Sequence, residues 1–84
     1  MQPGLIELVA GVLNLAPDQM TMESGPKNLP VWDSLAHITI AAAVEQTYGV
    51  ELTMPEILSI RTVRNLQEVL QRHDIAASDG DSAR

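Results

Sequence analysis

The apolar residues of this chain fall into runs with helical spacing, and no stretch alternates with the period of two that a sheet requires. Leu5, Ile6, Leu8, Val9, Val12 and Leu13 recur at spacings of three, four and seven. They give a first helix one broad apolar face, opening after Pro3 and Gly4 and stopping before Pro17. A second helix is predicted from about Ser34 to Tyr48, with Gly49 as its left-handed C-terminal residue and Val50 folding back onto the last turn. Thr53 and Glu56 have the spacing of a capping box and start a short helix of about two turns through Met54, Pro55, Ile57 and Leu58. Thr62 caps a last helix, in which Val63, Leu66, Val69 and Leu70 share a face.

Between the first and second helices, Pro17, Ser24, Gly25, Pro26, Asn28 and Pro30 punctuate against regular structure. Leu29, Val31 and Trp32 are apolar enough to pin this loop onto a core. A connection this long is unusual in a compact domain and often functional. The fold class expected is all-α: a four-helix bundle with a short third helix and a long loop between helices one and two. With 84 residues there is room for one small domain, residues 1–75, and the Ser, Asp, Gly and Ala of residues 76–84 read as a flexible tail.

Composition removes most kinds of chemistry. There is no cysteine, hence no disulfide framework, thiolate metal site or Cys nucleophile, and any thiol must be imported. Two histidines and scattered acids give no metal-ligand spacing, and no glycine-rich nucleotide loop is present. Formal net charge is −6, with seven acids against the single Lys27 over residues 1–60, which disfavours nucleic acid and either invites basic patches on protein partners or serves solubility alone. Trp32 and Tyr48 are the whole aromatic complement, too few for base stacking. No apolar run reaches membrane-spanning length and no leader pattern opens the chain, so a cytoplasmic protein is the expectation, and nothing in the sequence demands more than a monomer.

At about 100° per residue, the second helix places His37, Ile40, Ala41, Val44 and Tyr48 on a core side. Leu35, Ile38, Ala42 and Glu45 fall on the side of Ser34, where apolar residues either form a docking surface or lie beneath the long loop. Asp33 and Ser34 stand at the helix start. There they serve as caps, or present a hydroxyl where backbone N–H groups and the helix dipole favour a phosphate. A Ser nucleophile would need a positioned base. His37 lies about 60° from Ser34 and points toward the core, and His73 sits at the end of the last helix. No catalytic residue is assigned.

Trp32-Asp33-Ser34-Leu35 opening the second helix, Glu45, Tyr48-Gly49-Val50-Glu51-Leu52 closing it, and Ile60-Arg61-Thr62-Val63 leading into the last helix resemble the acyl carrier proteins of thioester pathways. The likeness runs from about Leu5 to Leu70. It implies that a phosphopantetheinyl transferase attaches 4′-phosphopantetheine from coenzyme A to Ser34. Acyl or aminoacyl groups would then be held as thioesters, loaded by a ligase or transferase and passed to downstream enzymes. Asp33 would orient the helix start and help engage the transferase, Asp33 and Leu35 would flank the cofactor on Ser34, and Leu35, Ile38, Ala42 and Glu45 would form the docking face. By the same resemblance Ile40, Val44, Leu52, Ile57, Ile60 and Leu66 would line an acyl pocket; without it they are core residues.

The second helix lacks the acidic row of many fatty-acid carriers, offering Thr39, Ala41, Ala42, Ala43 and Gln46 there. Loss of that row weakens steering by basic partners. The resemblance therefore points to a specialised polyketide-like, lipid or secondary-metabolite pathway. Trp32 before Asp33 resembles discrete carriers and the D-alanyl or aminoacyl carriers. A helical interaction module without a prosthetic group is the reading left if Asp33 and Ser34 only cap.

Overall fold

A computed structural model describes residues 4–74. Among them are four α-helices, α1 (Leu5–Leu13), α2 (Ser34–Tyr48), α3 (Met54–Ser59) and α4 (Val63–Arg72), with one 3₁₀ turn at Pro17–Gln19 and no strand. The proposed tail, residues 76–84, lies outside the described residues.

Each helix boundary has a local cause. α1 ends at Leu13, short of Pro17, because Asn14 takes a left-handed conformation at φ 65° and its N–H and that of Leu15 return to carbonyls of the last turn. Asp33 caps α2 by accepting the Ala36 N–H at 2.9 Å. Gly49, at φ 67°, closes the helix, its N–H and that of Val50 both donating to Glu45 O at 2.9 and 3.2 Å. Thr53 and Glu56 form the reciprocal box: Glu56 N–H donates to Thr53 Oγ1 at 3.2 Å and Thr53 N–H to Glu56 Oε1 at 2.9 Å. Thr62 Oγ1 accepts the Asn65 N–H at 3.1 Å to start α4.

α1 packs against α2 and α4. Leu5, Val9, Leu13, Ile40, Val44, Val63, Leu66 and Leu70 bury their side chains together, and Met20, Trp32, Leu52 and Ile60 complete the core from the connections. Among the described residues fifteen apolar side chains are withdrawn from water in this way, the main source of stability for a chain of this size.

The long connection is ordered by its own hydrogen bonds. Ser24, buried, accepts the Thr21 N–H on Oγ at 2.9 Å, and Asn28 Oδ1 accepts the Gly25 N–H at 2.9 Å. Ser24 O and Met22 O accept the first N–H groups of α4, from Val63 at 3.0 Å and Arg64 at 2.8 Å, so the loop satisfies donors that a helix start leaves free. Val31 differs from the expectation that it pins this loop. It is 49% exposed, while Trp32 is buried, because backbone bonds and Met20 anchor the segment instead.

α3 is tied to the end of α4 by His73 Nε2, at 3.0 and 3.2 Å from the two oxygens of Glu56. The Thr53 N–H chiefly holds the Glu56 carboxyl below its usual range; partial desolvation opposes this, and the His73 contact adds to it. A carboxyl depressed in the folded state adds stability at pH above the ordinary glutamate range, and this contribution is lost as pH falls through its folded value. Glu56→Gln is therefore expected to lose less stability than wild type between neutral and strongly acidic pH, measured as the shift in urea midpoint.

Candidate functional site

Ser34 occupies the first position of α2 and is exposed. Its hydroxyl makes no hydrogen bond within the described residues. Two features fix this position. Asp33 caps the helix immediately before it, and Trp32 is buried one residue earlier, its N–H bonded to Leu29 O at 3.0 Å. Asp33→Ala should cost about 1 kcal/mol through loss of the cap, read as a lower urea midpoint.

His37 is a bracing residue. Trp32 Nε1–H, which can only donate, reaches His37 Nδ1 at 3.0 Å, so Nδ1 is the acceptor and the ring proton lies on Nε2. Nε2–H donates to Ile57 O at 2.7 Å. One imidazole thus links the loop, α2 and the end of α3, and neither nitrogen is free to take a proton from Ser34. The sequence placed this ring toward the core; its two partners come from the tertiary fold.

Pro26, Trp32, Asp33, Ser34 and His37 line a shallow groove of about 320 Å³ beside the hydroxyl. The remaining candidates divide clearly. Leu35, 76% exposed, and Ile38, 49%, stand free of the loop, and Ala42 is exposed beyond them. Glu45 is half-buried, and its Oε2 accepts the Leu52 N–H at 2.8 Å, so one oxygen of this acid is already used to hold the chain after α2. Ile40, Val44, Leu52, Ile60 and Leu66 are buried members of the core, and Ile57 packs at its edge.

Two residues of α3, Met54 and Leu58, are exposed and apolar as well, beyond the docking face expected from α2. Their spacing of four puts them on one face of that helix, with half-buried Ile57 at its edge toward the core. This spacing was the available signal.

The arrangement offers an unbonded alcohol at the positive end of a fifteen-residue helix, flanked by exposed apolar residues and braced from behind by Trp32 and His37. A phosphodiester fits there sterically and electrostatically, because the oxygen faces solvent and the helix start favours negative charge. No helix of the described residues is long and apolar enough to cross a membrane. A search of curated proteins finds no match. The family model for the phosphopantetheine attachment site, however, matches residues 3–70. The chain therefore belongs to the phosphopantetheine-binding acyl carrier family, whose members bear covalently attached 4′-phosphopantetheine.

Proposed function

We propose that Ser34 is the attachment residue and that the protein carries acyl or aminoacyl groups for a specialised pathway, without catalytic activity of its own. The observation that supports this most strongly is the exposed, unbonded Ser34 hydroxyl at the start of α2. In the attachment step Ser34 Oγ attacks the pyrophosphate of coenzyme A, forming an O–P bond as the adenosine bisphosphate leaves. The hydroxyl proton goes to a base supplied by the transferase, since both His37 nitrogens are engaged. When bound, the group supplies the thiol that the sequence lacks, on which acyl groups are held as thioesters.

The chain's own residues orient and present. Asp33 fixes the first turn, and the Trp32–His37–Ile57 chain of hydrogen bonds keeps α2, the loop and α3 in register. Leu35, Ile38 and Ala42 offer partners an apolar contact, to which Met54 and Leu58 of α3 add. With α2 neutral along Thr39, Ala42 and Gln46, and Glu45 bonded to Leu52, recognition rests on these apolar residues more than on charge. That balance favours dedicated partners of a polyketide-like, lipid, secondary-metabolite or aminoacyl pathway over the basic surfaces of bulk fatty-acid synthesis.

Incubation with coenzyme A and a promiscuous phosphopantetheinyl transferase should raise the intact mass by about 340 Da in the wild type and leave Ser34→Ala unchanged. An unmodified wild type would turn the reading toward an interaction module in which Asp33 and Ser34 only cap.

A further inference from the structure

A second, larger groove of about 530 Å³ lies between the loop and the start of α4, lined by Glu23, Gly25, Pro26, Lys27, Asn28, Arg61 and Thr62. Pro26 lines this groove and the one beside Ser34, so the two share a wall. Lys27 is the only cation in residues 1–60, yet the fold sets it in the same groove as Arg61. Both are exposed, and neither side chain makes an ion pair or hydrogen bond among the described residues. The acid in the groove, Glu23, is engaged by Arg64, whose Nε–H donates to its Oε2 at 2.6 Å. The first N–H groups of α4 are taken by Ser24 O, Met22 O and Thr62 Oγ1, which leaves the two side chains as the groove's available positive charge.

We propose that this groove receives the carboxylate of a dicarboxylic acyl cargo, one bearing a free acid at the end remote from its thioester, carried on the arm from Ser34. The inference rests on the attachment at Ser34 proposed above. An arm of about fourteen bonds, each advancing about 1.2 Å as in an extended polypeptide, reaches on the order of 17 Å when extended, and the groove it enters shares the Pro26 wall with the one beside Ser34. Exposed ion pairs are individually weak. Tethering offsets this: an effective concentration in the millimolar range makes a contact with Kd of about 1 mM substantially occupied. The carboxylate lies between Lys27 and Arg61, and the chain behind it rests on Pro26 and Gly25.

The test compares protein loaded by a promiscuous transferase from succinyl-coenzyme A with protein loaded from butyryl-coenzyme A, cargoes alike in length but different in terminal charge. Intact mass first establishes loading; failure at that step bears on Ser34 and is seen before the groove is examined. In ¹H–¹⁵N spectra the amides of Lys27, Asn28, Arg61 and Thr62 should differ between the two forms by clearly more than those of α1. The difference should fade as salt is raised from ~0.02 to ~0.5 M. The K27A/R61A variant keeps the backbone that Gly25 packs against and should load to the same mass while losing the difference. Identical spectra of the two forms around the groove, a difference that persists in K27A/R61A, or a carboxylate effect centred elsewhere would overturn the proposal; the first result would leave the two cations to acidic groups of a partner.

Discussion

Trp32→Ala is expected to be the most damaging single substitution, lowering stability by about 4 kcal/mol. The indole is 1% exposed and among the largest buried side chains. Its removal leaves a cavity between the loop and α2 and strips His37 Nδ1 of its donor. In a domain of this size the loss corresponds to a melting temperature lower by on the order of 20 °C. Because the variant has no tryptophan, far-UV circular dichroism in urea is the proper readout. Trp32→Phe separates the two contributions: it retains most of the apolar volume and should lose about 1 to 2 kcal/mol, chiefly for the unmatched imidazole nitrogen. A loss below about 1.5 kcal/mol for Trp32→Ala would show that the loop does not depend on this anchor.

Gly25→Ala is the second. A Cβ at Gly25 would overlap the Arg61 carbonyl oxygen and come within 2.9 Å of the Arg61 carbonyl carbon. Both are backbone atoms, with no flexible side chain to yield. Relief requires the loop to move off the start of α4, breaking the bonds from Val63 N–H to Ser24 O and from Arg64 N–H to Met22 O. A cost of about 3 kcal/mol is expected, at the upper end of overpacking by one methyl group. The corresponding drop in the urea midpoint should come with faster amide exchange at Val63 and Arg64. Gly11→Ala is the control, since a Cβ there meets nothing within 4 Å, and it should leave stability unchanged or slightly raised.

What was legible in the sequence is what local rules govern. Asp33, Gly49, the Thr53–Glu56 pair and Thr62 mark helix ends through bonds made within a few residues, so spacing alone places them. Asn14 escaped because asparagine adopts the left-handed form only sometimes, whereas Pro17 offered a plainer stop. The loop was harder. Beyond its local bonds at Ser24 and Asn28, its order comes from carbonyls of Met22 and Ser24 meeting a helix some forty residues later, and from a glycine whose need is visible only once Arg61 lies against it. Val31 and Trp32 look alike as apolar neighbours, yet one points to solvent and the other into the core.

The candidate site divides in the same way. The helical period separated exposed Leu35, Ile38 and Ala42 from buried Ile40, Ala41 and Val44. It also set Glu45 on the outer side, but the bond to Leu52 that occupies this carboxylate depends on how the chain turns after Gly49. His37 was directed inward by periodicity, while its partners, Trp32 and Ile57, required the fold. The pairing of Lys27 with Arg61 across one groove likewise has no trace in local sequence.

The most direct measurement is the position of the modification. After transfer from coenzyme A, trypsin cleavage following Lys27 and Arg61 gives the peptide of residues 28–61, whose only serines are Ser34 and Ser59. Fragment spectra of this peptide should place the added mass of about 340 Da on Ser34 alone. Mass on Ser59, or on a peptide from elsewhere in the chain while Ser34 stays bare, would contradict the assignment.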